Sequence, residues 1–165
     1  MAERDSGKVA ILDLAAFRVT AEVAAGSGPC SVAISGTQAV VVNEDSDSVT
    51  VVDLTSNTVL KTIPVGRGPR GVAASANLAF VTNEDDGTVS QLSLASLNVT
   101  KTFNLGANVR PRSIQFIPSL SVAVITEPSA GPNGRVYLLN IVTSNRCKSI
   151  SARGRWPWTL ATISW

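Results

Sequence analysis

The stretch VTVVDLTSNTVLKTIPVGRGPRGVAASANLAFVTNEDDGTVS, residues 49–90, holds one full cycle of a recurring pattern and decides how the rest of the chain is read. Val49, Val51 and Asp53 alternate with Thr50, Val52 and Leu54. Val59, Lys61, Ile63 and Val65 alternate with Leu60, Thr62 and Pro64. Period-two alternation of β-branched residues, interrupted by Asn, Asp, Gly and Pro, marks short strands joined by tight turns. Outward from this stretch the same marks return. Asp13-Leu14, Asp53-Leu54 and Ser93-Leu94 stand 40 residues apart (13, 53, 93), and Asn140-Ile141 follows after 47. Gly28-Pro29 and Gly68-Pro69 keep the 40-residue interval, as do Asn43-Glu44-Asp45 and Asn83-Glu84-Asp85. Arg110-Pro111 and Trp156-Pro157 come later in the same role.

A fixed period of about 40 residues built from four short strands predicts the blades of a β-propeller. The fullest unit reads GVAAS (71–75), LAFVTN (78–83), GTVSQLSL (87–94) and NVTKTFNLG (98–106). The unit before it reads SVAIS, AVVVN, SVTVVDL and TVLKTIPVG. Joins of about 2–6 residues suit a meander. The strands assigned to the axis, SVAIS, GVAAS, SIQFI and TLATI, are short and small-sided, which lets them crowd together. The expected fold is therefore all-β: a β-propeller segment of four-stranded antiparallel blades, three full and a split fourth. One domain spans 1–165, with blades at about 31–65, 70–105 and 112–151 and partial-blade strands at 8–25 and 158–164. Residues 1–7 read as the tail of a further strand and its acidic turn. The chain thus reads as beginning and ending inside a blade, either a piece of a larger propeller or a half-ring completed by a second copy. Open blade edges recruit other chains, so self-association is expected.

Residues 49–90 resemble the YVTN-type β-propeller repeat of surface-layer and quinoprotein-like propellers, with Phe80-Val81-Thr82-Asn83 standing for the tetrapeptide that names it. The resemblance is strong over 8–106 and weaker beyond. Ser121-Val122-Ala123-Val124-Ile125-Thr126 lacks the Asn, and a Pro- and Gly-rich turn at 128–134 replaces the short acidic one. The resemblance implies a propeller, often in an exported protein. It brings no catalytic residue and no cofactor, because the motif is structural.

Composition prunes the functions. Hydrophobic residues at 44% fit a folded chain, and charged residues at 16% are sparse beside the usual ~25%. A net charge of +2 gives no reason to expect nucleic acid. No apolar run approaches the ~20 residues of a membrane span, and charged residues 1–5 carry no signal-peptide core. The chain has no histidine, which removes Ser-His-Asp and Cys-His catalysis, histidine bases, histidine-ligated zinc or copper and histidine-ligated haem. Cys30 and Cys147 fit no zinc spacing and read as two separate, half-buried thiols; a disulfide needs Cα atoms within ~7 Å.

Three arginine pairs occupy one repeat position, the turn from an outer strand to the next inner strand: Arg67 and Arg70, Arg110 and Arg112, Arg153 and Arg155. Such turns gather at one mouth of the propeller channel. Guanidiniums there suit a carboxylate or phosphate ligand. The competing reading pairs them with the acidic turns Glu44, Asp45, Asp47 and Glu84, Asp85, Asp86 on the same face. The first such turn, Gly26-Ser27-Gly28-Pro29, has no arginine. The acidic turns read as solvated turns, since they lack the glycine and distant bidentate Glu of an EF-hand loop. Asn43 and Asn83 are expected to bond local backbone at their strand ends. Asn98-Val99-Thr100 matches the glycosylation pattern, and Trp156, Trp158 and Trp165 cluster late in the chain. The expected function is non-catalytic binding or scaffolding toward an unidentified ligand or protein. The alternatives are a part of a lactonase- or quinoprotein-type propeller enzyme, or a truncated propeller without activity of its own.

Overall fold

The recurring Asp-Leu marks are turn closers. Asp13 Oδ1 accepts hydrogen bonds from the N–H groups of Ala15 (2.9 Å) and Ala16 (3.1 Å), and Asp53 Oδ1 accepts from Thr55 (2.7 Å). Ser93 Oγ and Asn140 Oδ1 take the N–H groups of Ser96 and Val142 in the later copies. A short polar side chain that bonds backbone two or three residues on stabilises a tight reversal. The last residue of the first three turns is left-handed: Phe17 (φ 48°), Asn57 (φ 56°) and Leu97 (φ 51°).

The computed structural model describes residues 2–3, 6–128, 134–142 and 147–151, with side chains for 6–128 and 134–142. The turns join fifteen described strands into four antiparallel sheets, in the order of the chain. The first sheet holds β1 (Ala2–Glu3), β2 (Lys8–Asp13) and β3 (Arg18–Ala24). The second holds β4 (Pro29–Ser35), β5 (Gln38–Asn43), β6 (Ser48–Asp53) and β7 (Thr58–Pro64), and the third β8 (Pro69–Ser75), β9 (Leu78–Asn83), β10 (Thr88–Ser93) and β11 (Asn98–Asn104). The fourth holds β12 (Ser113–Ile117), β13 (Val122–Glu127), β14 (Arg135–Asn140) and β15 (Cys147–Ser151). This is a β-propeller segment: three four-stranded blades and, among the described residues, a three-stranded first sheet. Helical structure among the described residues is one three-residue 3₁₀ turn at Pro118–Leu120. No described helix is long and apolar enough to cross a membrane.

The first three sheets carry a register shift at one repeat position, after Ile11, Val51 and Gln91. The extra residue on the outer strand is a bulge, which raises local twist. In two copies a threonine stitches it: Thr20 Oγ1 donates to Ile11 O (3.0 Å) and Thr100 Oγ1 to Gln91 O (3.2 Å).

Burial lies between sheets rather than within them. The inner strands β4, β8 and β12 touch one another in turn. Val9, Val23, Val41 and Val52 fill the first interface; Val40, Val42, Val49, Val51, Val81 and Leu92 fill the second. The third is aromatic: Phe80, Phe103 and Tyr137 pack with Ile125 and Leu139, and the Phe80 and Phe116 rings lie 4.9 Å apart. A fully buried aromatic is the least replaceable element of such an interface. Phe80→Ala should destabilise the protein by about 3–5 kcal/mol in urea titration. A loss below ~1 kcal/mol would mean that the third and fourth sheets do not depend on each other.

Candidate functional site

One end of the array gathers two kinds of turn: those leading from an outer strand to the next inner strand, at 25–28, 65–68 and 105–111, and the acidic turns at 44–47 and 84–87. The backbone couples them. Glu44 N–H donates to Gly28 O (2.9 Å) and Asp45 N–H to Ser27 O (3.2 Å). Forty residues on, Glu84 N–H donates to Gly68 O (2.9 Å) and Asp85 N–H to Arg67 O (3.2 Å). The turn at 65–68 is held from both sides. Asp47 Oδ1, from the second sheet, accepts Gly68 N–H (2.8 Å), and Asp86 Oδ2, from the third, accepts Arg67 N–H (2.8 Å). That backbone bond, then the Arg67 side chain, holds the Asp86 carboxyl below its ordinary range. In the first copy, which has no arginine, Ser27 N–H meets Ser46 Oγ instead (3.2 Å).

Beneath each coupled turn lies the asparagine of the FVTN-like strand. Asn43 and Asn83 do not bond local backbone as the sequence predicts; their amides span to side-chain hydroxyls on the next strand. Asn43 Nδ2 donates to Ser48 Oγ (3.1 Å) and Thr50 Oγ1 (3.0 Å), and Asn83 Nδ2 to Thr88 Oγ1 and Ser90 Oγ (both 2.9 Å). The strand pairing explains the difference. Asn43 faces Ser48 and Asn83 faces Thr88 across the turn, which puts hydroxyls within reach of each amide. Both asparagines are fully buried, roofed by the glycine of the turn above. A Cβ on Gly66 would lie 2.6 Å from Asn83 Nδ2, and one on Gly26 would lie 2.7 Å from Asn43 Nδ2. The recurring Asn and the recurring Gly are therefore two halves of one contact.

Charge on this face is interleaved. Arg70 is only 32% exposed and bridges two sheets, with Nη2 2.8 Å from Glu44 Oε1 and Nε 2.9 Å from Glu84 Oε2. Arg110 continues the chain, with Nε 3.2 Å from Glu84 Oε1 and Nη2 2.8 Å from Asp85 Oδ1. Arg67 Nε meets Asp86 Oδ1 at 2.7 Å. Arg112 is exposed and pairs with no carboxylate among the described residues. The described ion pairs thus join three of the six sequence-predicted arginines, Arg67, Arg70 and Arg110, to four carboxylates, Glu44, Glu84, Asp85 and Asp86. Arg153 and Arg155, the three tryptophans and the strand expected at 158–164 lie outside the described residues, as does the side chain of Cys147. Cys30 is exposed rather than half-buried: it sits at the register shift between Pro29 and Ser31, with Sγ 3.8 Å from Pro69 O and 3.7 Å from Arg70 O.

The third turn departs from the repeat. Between Gly106 and Pro111 it is two residues longer than between Gly66 and Pro69, and Asn108 adopts φ 62°. Its Val109 is buried in the aromatic interface. Below it, where the register of β13 and β14 sets the equivalent of Asn83, stands Glu127, also buried. Glu127 Oε1 accepts Arg110 N–H (3.2 Å) and Oε2 accepts the Tyr137 hydroxyl (2.9 Å). Sequence reasoning stopped at Thr126 and missed this pair. The signal was a carboxylate at the next residue and the chain's single tyrosine at the Ser90-equivalent position. A cavity of about 390 Å³ opens between the long turn and the acidic turn, lined by Glu84, Asp86, Asn104, Asn108 and Arg110. Among the described residues no cluster of acidic or sulfur side chains has a metal-binding arrangement.

No family model matches the chain, and no curated protein matches its sequence. Solved structures do match. The hydrazine synthase of Kuenenia stuttgartiensis superposes with a TM-score of 0.80 at 23% identity, over 90% of this chain and 44% of that one. U3-55K gives 0.76 at 15% identity, over 91% and 46%, and the dihydro-heme d1 dehydrogenase NirN gives 0.71 at 12%, over 91% and 34%. These are β-propeller proteins, and the likeness is one of fold. This chain spans less than half the length of each.

Two measurements test the site. Gly66→Ala should cost about 1–3 kcal/mol through overpacking, and Asn83→Ala about 1–3 kcal/mol through lost bonds. The double variant should lose well under the sum, because removing Asn83 makes room for the new methyl. Additive losses in denaturant would mean that the two residues act separately. The second test uses Tyr137. Burial pushes its phenol up; Arg135 opposes this, and the bond to Glu127 adds to it. The raised folded value means that this contribution is present below the phenol's ordinary value of ~10 and is lost as pH rises through the folded one. Phenolate absorbance should titrate above the free-tyrosine value, and alkaline destabilisation should shrink in Tyr137→Phe.

Proposed function

We propose that residues 1–165 form one propeller repeat unit of the YVTN type that serves as a non-catalytic binding or scaffolding platform. The observation that supports this is the interleaving of charge at the mouth. Glu44, Arg70, Glu84, Arg110 and Asp85 engage one another across successive sheets, so the turns present a held surface. The absence of histidine from the sequence agrees with this reading. A protein or ligand partner meets these turns, and open blade edges give the unit a second capacity, self-association. A part of a propeller enzyme is the second reading. It rests on two structural neighbours, a synthase and a dehydrogenase, and requires acid–base or metal-binding groups converging on the mouth.

An anion ligand at the predicted arginines would have to enter through Arg112 and draw Arg70 or Arg110 from its carboxylates. The described turns carry four arginines, Arg67, Arg70, Arg110 and Arg112, against six carboxylates, Glu44, Asp45, Asp47, Glu84, Asp85 and Asp86. That balance favours the platform. Calorimetric titration with phosphate and simple dicarboxylates separates the two. The expected result is equal heats for wild type and Arg70→Ala/Arg112→Ala, with at most ~1 kcal/mol lost in stability. Saturable binding by the wild type that vanishes in the variant and weakens with salt would assign an anion site instead.

A further inference from the structure

We propose that the face of the first sheet bearing Leu12, Leu14, Phe17 and Val19 is a seat for the outward face of the fourth sheet in a second copy of this chain. The proposal rests on the self-association reading above and names its surfaces. Each repeat turns the same positions toward the sheet before it. In the third sheet Leu92 and Leu94 are 0% and 3% exposed, packed with Leu97 and Val99 against the second sheet. In the second, Val52 is 1% exposed, and Leu54 packs beside it against the first. Forty residues earlier the equivalents are open: Leu12 is 44% exposed, Leu14 77%, Phe17 90% and Val19 50%. These residues share the sequence logic of a blade interface and meet no sheet among the described residues. Scattered apolar side chains on a surface need no explanation, but a contiguous set at interface positions marks an interaction site.

The complementary face is in the same molecule. In the second sheet the cross-strand pair Val40 and Val51 lies at 0% exposure under Leu92 of the third. In the fourth sheet that row is occupied by Val124 and Leu138, paired directly across β13 and β14. Val136, the equivalent of Val49, lies beside them. All three are half-buried and directed away from the third sheet, whose contacts fall on Ile125, Tyr137 and Leu139. The described sheets therefore carry both halves of a blade interface, one on the first sheet and one on the fourth. Joining them between copies repeats a contact that the fold already makes three times. The contact is heterologous, so it closes as a ring or runs on.

Sedimentation equilibrium of the full chain tests this. The wild type should associate, and Leu14→Glu/Phe17→Glu should raise the dissociation constant by roughly 100-fold or more with an unchanged circular dichroism spectrum. Both side chains are exposed, so this variant has no reason to unfold. Val124→Glu/Leu138→Glu should weaken association similarly. An equimolar mixture of the two variants should associate where neither does alone, since each supplies the face the other lost. A wild type that stays monomeric at high concentration overturns both this proposal and the self-association reading. Association that survives Leu14→Glu/Phe17→Glu overturns this seat alone. A mixture that fails to recover overturns the heterologous pairing.

Discussion

A four-stranded sheet with apolar residues on both faces cannot bury itself; it needs a sheet on each side. The rest of this structure follows from that demand. Val49 and Val51 face the third sheet while Val52 faces the first, and all three are essentially inaccessible to solvent. Because the interfaces stack along the chain, position in the array decides the fate of a side chain as much as its identity does. Leucine at one repeat position is buried in the third sheet as Leu94 and open in the first as Leu14. The coupled turns at the mouth serve the same demand. They fix the angle between successive sheets by bonding the connection at 65–68 to an acidic turn on either side.

The fold was legible because its marks are local. An aspartate that accepts two N–H groups at a turn, a Gly-Pro at the next turn and valines between them all depend on neighbours in sequence, so a 40-residue period survives intact. What was not legible depends on contacts across that distance. Nothing near Asn83 in sequence says that its amide lies under Gly66, or that it donates to hydroxyls and not to backbone. Glu127 was hidden for a related reason. The third turn is longer, the offset changes, and only strand pairing identifies Glu127 as the counterpart of Asn83. Four of the six arginines, Arg67, Arg70, Arg110 and Arg112, lie in or beside the described turns at one end. Which carboxylate each would meet depends on contacts between sheets, which spacing alone does not reveal.

The mouth illustrates how repeat topology disposes of charge. Connections between blades and acidic turns within blades emerge at the same end, so opposite signs alternate around it. Arg70 sits between the glutamates of two sheets, and Arg110 takes the remaining oxygen of one of them and adds Asp85. The pairs around Arg110 are exposed, and such pairs contribute at most ~1 kcal/mol each. Their value lies in mutual placement. A guanidinium shared between carboxylates of different sheets couples turns that the backbone alone leaves separate.

The degeneration of the repeat toward the third interface has its own physical logic. Where the second interface matches valines with Ala79 and Leu92, the third replaces Val40 by Phe80 and Ile63 by Phe103, and sets them against Ala123, Ile125 and Leu139. Phe80 and Phe103 meet Ala123 on the fourth sheet, as Val40 and Ile63 meet Ala79 on the third, so the third interface is the bulkier of the two. Beneath the mouth a matching exchange occurs: amide and hydroxyls give way to a carboxylate and a phenol, and Val109 of the longer turn fills the added space. The two interfaces thus differ in bulk and shape, so each face is poorly suited to its neighbour's partner. In an array of near-identical sheets that mismatch has a use, because it makes pairing of the second sheet with the fourth less favourable than the native order.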